Sequence, residues 1–162
     1  WDDDGYYYGS VMAEVLRAAG REVLYVTPAA APAPWTLNTL EFAPIQTRLR
    51  ELDVTILASH RLVAFDGARA VTQDVWSGRT SDHECASVLS ITARLPNDTL
   101  YQELAAREDD WSAIQSVRCI GDALAPGAIV HAVYAGHRYA RELGEPATGA
   151  PAFRRELAGP AT

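Results

Sequence analysis

The sequence predicts an α/β fold in two parts: a three-layer domain closed by a β-meander, and a partial second domain that returns as strand, turn and helix. Three observations carry this. A helical period runs straight into a strand across Gly20. A hairpin signal, Asp66-Gly67, separates two β-rich runs. Near the other end, an apolar strand gives way at Gly121-Asp122 to an amphipathic helix. Helices alternating with short apolar strands argue for a parallel sheet with helices packed upon it.

The elements follow in order. A helix from about Tyr8 to Ala19 places Val11, Val15, Leu16 and Ala19 on one face, and Gly20 fits its C-cap. Val23–Val26 follows as a strand. This is the αβ half of a βαβ unit, so a strand should precede it. The chain starts at Trp1, where that strand should be ending, and it is expected to be a piece of a longer protein. Pro28–Pro34 is an Ala/Pro loop. Thr36 or Asn38 fits the cap of a helix running to about Leu52, with Leu40, Ile45, Leu49 and Leu52 as its apolar points. Pro44 within that pattern implies a kink or a late start.

Val54–Ala58 is a strand. His60–Phe65 and Arg69–Trp76 form a hairpin across Asp66-Gly67. Ser77–Glu84 reads as a polar connection, and Ala86–Ala93 as the returning strand of the meander. Residues 94–98 cross over to a helix, Thr99–Arg107. This gives a Rossmann-like unit over residues 1–95, a return segment over 96–145 and a Pro/Ala/Gly-rich flexible tail over 146–162.

The return segment carries the candidate site. Val117 and Ile120 suit a buried parallel strand. Gly121 permits a sharp exit and a close backbone approach to a ligand. Asp122 would stand near the mouth of the next helix, whose free N–H groups and partial positive charge favour a pyrophosphate. The Asp would accept hydrogen bonds from sugar or ribityl hydroxyls rather than face a phosphate. Pro126 and Gly127 fit the helix start, with Ile129, Val133, Gly136 and Ala140 toward the sheet. Gly121, Asp122, Ala123 and Ile129 are the candidate cofactor-binding residues. A lone Gly-Asp after a strand is also a common plain turn.

Four strings together resemble a known family: residues 2–9 (Asp-Asp-Asp-Gly-Tyr-Tyr-Tyr-Gly), 35–41 (Trp-Thr-Leu-Asn-Thr-Leu-Glu), 100–104 (Leu-Tyr-Gln-Glu-Leu) and 120–123 (Ile-Gly-Asp-Ala). They are similar to the C-terminal region of the trimethylamine dehydrogenase, histamine dehydrogenase and 2,4-dienoyl-CoA reductase group, within the old yellow enzyme class of NADH:flavin oxidoreductases. The first two strings point toward the amine dehydrogenase branch. The resemblance spans the chain to about Glu145. It implies a glutathione-reductase-like nucleotide-binding fold behind an N-terminal barrel that carries FMN and a 4Fe-4S cluster. It also implies FAD or ADP in the full-length parent, an electron-transfer flavoprotein as acceptor and a homodimeric parent, while the composition and the absence of a signal-peptide pattern point to a cytoplasmic location. The barrel and the first nucleotide-binding half would lie outside this chain, which would then be catalytically silent alone and hold no cofactor tightly.

The small domain departs from the dinucleotide pattern. Laid on G-x-G-x-x-G, its turn puts Asp4 at the first Gly, Tyr6 at the second and Gly9 at the third. Tyr6 would block the backbone's approach to a pyrophosphate, and Asp2, Asp3 and Asp4 bring the wrong sign of charge. The second strand ends in Thr27-Pro28, with neither an acidic ribose ligand nor an Arg for a 2′-phosphate. Tyr6–Tyr8 reads either as a contact surface for a partner or as an aromatic cluster over the sheet edge; the second is the simpler reading.

The remaining features exclude more than they assign. A net charge of −7 argues against nucleic acid and anionic membrane as partners, and no apolar run is long enough to span a bilayer. At 162 residues the chain can bury a real core. Cys85 and Cys119 show no metal spacing, and Cys119 reads as a buried thiol. Residues 82–85 (Asp-His-Glu-Cys) are ligand types, but four adjacent residues cannot all face one ion, so they read as a solvated tip. His131 and His137, six apart on one helix, do not share a face. His137 would pack on the sheet or cap a hydrogen bond. Trp76 and Trp111 read as packing residues. No catalytic residue is assigned. Three functions stay open: a portion of an amine-oxidising or NADH:flavin oxidoreductase, a weak adenine-nucleotide-binding module, or a structural domain without ligand.

Overall fold

The structure, a computed structural model, describes residues 1–107, 110, 112–114 and 116–144. The chain is a mixed α/β polypeptide that divides into two compact units, Trp1–Ala93 and Arg94–Thr162.

In the first unit, β1 (Leu24–Val26) pairs in parallel with β2 (Thr55–Leu57), Leu24 lying opposite Thr55. The strand expected before α1 (Tyr8–Ala18) survives as residues 1–3. Asp2 forms a parallel bridge to Ile91, and its N–H donates to the Val26 carbonyl at 2.9 Å. Asp3 N–H donates to Ile91 O, and Ile91 N–H to Trp1 O, each at 2.8 Å. Residues 1–3 therefore lie between β1 and the segment around Ile91.

The period of α1 is as the sequence predicts, but its phase is rotated. Gly9, Ser10 and Ala13 are buried, whereas Val11 and Val15 are exposed. The reason lies beneath the helix. Ala13 packs into a cluster with Tyr25, Leu49 and Val54, flanked by Val23, Ile45, Leu52 and Ile56. The large Tyr25 ring leaves room only for small residues on the facing helix. Arg17 fixes the end of α1, its Nε donating to Leu52 O at 2.6 Å and its Nη1 to Arg21 O at 3.0 Å.

Between β1 and β2, a 3₁₀ helix spans Pro34–Thr39 and Leu40 turns through the left-handed region (φ 64°) before α2, Phe42–Glu51. The helix thus starts later than a Thr36 or Asn38 cap would place it. Pro44 then falls in the first turn, where its missing N–H has no intrahelical partner to lose. Thr36 is buried, and its hydroxyl donates to Ala33 O at 2.6 Å. Leu40 is exposed on the left-handed turn, while Ile45, Leu49 and Leu52 do pack inward.

An antiparallel meander follows: β3 (His60–Phe65), β4 (Arg69–Asp74) and β5 (Thr80–Glu84). The first hairpin is as predicted. Asp66 Oδ1 accepts the N–H groups of Ala68 and Arg69 at 2.9 and 2.8 Å, and Gly67 has φ 99°. The third strand is not Ala86–Ala93, of which only Ile91 forms a bridge. It is Thr80–Glu84, within the stretch read as a polar connection. Its pairing is set by a second Asp turn, in which Asp74 Oδ1 accepts the N–H groups of Trp76 and Ser77 at 3.0 and 2.7 Å. An outer strand with four of five residues exposed carries no hydrophobic alternation to read. Trp76 is exposed at this turn rather than packed.

The second unit contains α3 (Thr99–Ala105), a 3₁₀ turn (Gly121–Ala123) and α4 (Ile129–Glu142). Residues 116–120 join neither sheet, and Ile120 is extended but partly exposed. The predicted parallel strand is not formed, because a strand needs a neighbour for its ladder and the described residues of this unit supply none. Helix α4 starts at Ile129, just after Pro126 and Gly127. Its less exposed side carries Ala132, Ala135, Gly136 and Tyr139, none of them buried, whereas Ile129, Val133 and Ala140 are exposed. Cys119 is half-buried and His137 exposed, neither as predicted. Trp111, Gln115 and the 146–162 tail lie outside the described residues.

Candidate functional site

In the second unit, the turn that carries the candidate residues is built by one glycine. Gly121 takes φ 61°, a conformation costly for any residue with a β-carbon. The N–H groups of Leu124 and Ala125 then donate to its carbonyl at 3.0 and 2.9 Å. A β-carbon on Gly121 would touch Ala132 of α4 at 3.7 Å, so the turn rests on the helix.

Asp122 does not simply stand at the helix mouth. Its Oδ1 accepts the Gly127 N–H at 3.2 Å, bracing the loop that leads to α4. From the other side, Arg94 Nη1 donates to the Gly127 carbonyl at 3.1 Å. Ala128 is extended (ψ 153°), and no side-chain hydrogen bond caps α4. An uncapped first turn presents N–H groups and the positive end of the helix dipole, which suits an anion. Gly121, Asp122 and Ala123 therefore share one turn, and Asp122 is tied to the helix start. Ile129 opens the helix, but the residue is 84% exposed. Arg94, read in the sequence only as crossover, is the residue that reasoning missed. A cation directly before an extended crossover offers no local signal of its partner 33 residues away.

In the first unit, the turn that matches G-x-G-x-x-G contains a buried carboxylate. Asp2 is 2% exposed. Its Oδ1 accepts the N–H groups of Asp4 and Gly5 at 3.1 and 3.3 Å, and its Oδ2 accepts the Tyr25 hydroxyl. Burial, and then the bond to Asp2, push the Tyr25 phenol well above its ordinary range, so it stays a neutral donor. Gly9 presses on this pair: a β-carbon there would lie 2.5 Å from Tyr25 Oη and 2.7 Å from the Asp2 carboxylate. The sequence treats Asp2 as one of three adjacent charges; its burial is the part that reading missed. The signal was Tyr25, a tyrosine in a buried strand whose hydroxyl needs a partner.

The same turn joins two of the strings quoted above. Trp35 N–H donates to Gly5 O at 3.0 Å, so residues 2–9 and 35–41 meet. Tyr6 and Tyr7 make an edge contact at 5.0 Å between ring centres, and Tyr7 and Tyr8 stack at 4.7 Å, both of the latter partly exposed. Among the described residues, no group of three or more His, Cys, Asp or Glu is placed to hold a metal ion. No described helix is long and apolar enough to cross a membrane.

Comparison with known proteins places these features. No family model matches the chain. It is similar to dimethylamine dehydrogenase of Hyphomicrobium sp. (strain x), 33% identical over 160 residues, covering 86% of this chain and 22% of that protein. Among solved structures, histamine dehydrogenase from Rhizobium sp. 4-9 superposes with a TM-score of 0.89 at 44% identity, over 100% of this chain and 25% of that one. A 6-hydroxypseudooxynicotine amine oxidase from Pseudomonas geniculata N1 gives 0.82 at 33% identity, over 88% and 21%. The chain thus spans about a quarter or less of the relatives it matches. A 2-naphthoyl-CoA reductase, at 14% identity and a TM-score of 0.63, shares the fold alone.

Proposed function

Kinship with the C-terminal region of the trimethylamine dehydrogenase group is the premise from which we propose that this chain is the C-terminal nucleotide-fold portion of an amine-oxidising flavoprotein. The observation that carries the proposal is the match to histamine dehydrogenase over 100% of this chain at 44% identity. In the parent, the barrel would hold FMN and the 4Fe-4S cluster, and an electron-transfer flavoprotein would take the electrons. Two cysteines cannot supply the four thiolates of such a cluster, so this portion would not hold it. The substrate chemistry would belong to the barrel, and this chain would be silent alone.

The second unit would contribute to a site for the adenine-nucleotide part of FAD or ADP. Its residues fit that group in kind. Gly121 allows a close backbone approach. Asp122 holds the loop at Gly127, and α4 offers uncapped N–H groups to a phosphate, with the Arg94 guanidinium beside Gly127. Titration of the protein with ADP and with FAD, followed by thermal shift, tests this. The expected result is a saturable rise of a few degrees, lost in Asp122→Ala. No response, or one unchanged by Asp122→Ala, overturns the assignment of this turn.

One observation favours a second reading, a structural segment without ligand. Ile129, Val130, Val133, Tyr134 and Leu143 of the α4 region are all exposed, which suits a surface that another part of the protein covers. In that case neither nucleotide shifts the melting temperature.

A further inference from the structure

We propose that His60 and Asp74 form a proton-operated clasp where the meander joins the parallel sheet, open when the imidazole is neutral and closed when it is charged. The inference concerns the first unit and does not rest on the nucleotide reading of the second.

The junction is built from few bonds. The His60 N–H donates to Thr27 O at 3.0 Å and the Ser59 N–H to Ala29 O at 2.8 Å, both on the stretch that leaves β1. From the far end of β4, the Val75 N–H donates to Ser59 O at 2.8 Å. Ser59 takes φ 56°, a left-handed conformation that is costly for serine and that these bonds must hold. His60 then opens β3 directly opposite Asp74, the last residue of β4.

The hydrogen bonds of the ring decide which nitrogen titrates. Nδ1 lies 2.7 Å from Ala58 O. A carbonyl only accepts, so Nδ1 carries a proton whether the ring is neutral or charged. The titrating atom is therefore Nε2, which faces Asp74 Oδ2 at 3.9 Å, both side chains being half-buried. The other oxygen of that carboxylate, Oδ1, is committed to the Trp76 and Ser77 N–H groups and the Ser77 hydroxyl. With the ring neutral, a lone pair on Nε2 faces the carboxylate and no bond can form. With the ring charged, Nε2–H donates to Oδ2, and the gap has a reason to close. Asp74 stays ionised throughout, because the Ser77 N–H above all holds its carboxyl below the ordinary range.

The neighbouring elements bring carbonyls to His60 rather than charges: Thr27 O beyond β1 and Ala58 O beyond β2. Tyr25 of β1 is engaged by Asp2, and Arg61, next to His60 in β3, gives its guanidinium to Gln73. Arg79, across the β4–β5 turn, accepts the Asp74 N–H through its backbone carbonyl at 2.9 Å. Asp74 is thus the charge that the ring answers to.

Two measurements test the clasp. The first needs no variant. Nitrogen-15 spectra of the histidines above about pH 8 should show His60 as the Nδ1–H tautomer; an Nε2–H tautomer overturns the proposal. The second is native-state amide exchange, corrected for intrinsic rates, at about pH 5.5 and about pH 8.5, either side of the ordinary imidazole value. Protection of the Val75 and Ser77 amides should be roughly two- to fivefold greater at the lower pH. His60→Asn, whose amide can still donate to Ala58 O, should abolish the difference. Asp74→Asn should reverse it, since its side-chain N–H donates to a neutral Nε2 and opposes a protonated one. Equal protection at the two pH values in the parent sequence, or a difference that survives unchanged in either variant, overturns the proposal.

Discussion

Gly9→Ala is the sharpest perturbation of this chain, because two effects of known size oppose each other. Gly9 has no left-handed backbone conformation, so alanine brings no strain in φ. In an exposed helix the exchange would be favourable, by about 1 kcal/mol. Here the new methyl group would enter at 2.5 Å from Tyr25 Oη and 2.7 Å from the Asp2 carboxylate. Neither group can swing away: Tyr25 is a buried strand residue, and Asp2 is held by the Asp4 and Gly5 amides. Overpacking of this kind costs about 1–3 kcal/mol. Those amide bonds already measure 3.1 and 3.3 Å, and a displacement of a few tenths of an ångström removes at least one of them. A hydrogen bond to a charged group is worth about 1.5–3 kcal/mol. Repulsion wins, and the net loss is about 2–4 kcal/mol, or a fall in Tm on the order of 10–20 °C for a unit of this size. The assay is thermal unfolding followed by near-ultraviolet circular dichroism. Gly136→Ala serves as the internal control, since a β-carbon at that position meets nothing within 4 Å. It should raise Tm or leave it unchanged. A Gly9→Ala protein as stable as its parent would refute the reasoning, since the carboxylate and the phenol would then not be fixed against the helix.

Three further outcomes are expected. Leu49→Ala, at the fully buried centre of the Ala13, Tyr25 and Val54 cluster, should cost about 2–5 kcal/mol in denaturant unfolding, with little change in slope. The Tyr25 phenol is raised in the folded state, so its contribution is complete below the unfolded value near 10 and is lost as pH climbs above it. Alkaline unfolding followed by tyrosinate absorbance should therefore be shallower in Tyr25→Phe. Asp66 and Asp74 are held below the ordinary carboxyl range, chiefly by the backbone N–H groups of Ala68 and Ser77 respectively. Their turns should be intact above about pH 4 and loosen as pH falls below it, seen as amide shift changes at Ala68, Arg69, Trp76 and Ser77 that Asp66→Asn and Asp74→Asn abolish turn by turn.

What the sequence determined by itself is what short-range rules govern. Helix α1 and its Gly20 end, strands β1 and β2, the Asp66-Gly67 hairpin, α3 and the Gly121 turn are each set by propensities and hydrogen bonds within a few residues. Those signals are printed locally in the chain. The four strings that carry the family resemblance are local in the same sense. The tertiary structure decided whatever depends on a surface elsewhere. The face of α1 that turns inward was settled by the Tyr25 side chain below it, which meets Gly9 and Ala13 and leaves Val11 and Val15 outside. Strand β5 exists because β4 offers it a ladder, not because its exposed, polar residues seek burial. Residues 116–120 do not form the strand their apolar character suggests, because no described strand of that unit stands beside them. Asp2 shows the division most plainly. One of three consecutive aspartates is buried and the other two are not, and that choice depends on a hydroxyl 23 residues away. Burial of a charge is affordable only where donors from several elements converge, and such convergence is a property of the fold and not of any stretch of sequence.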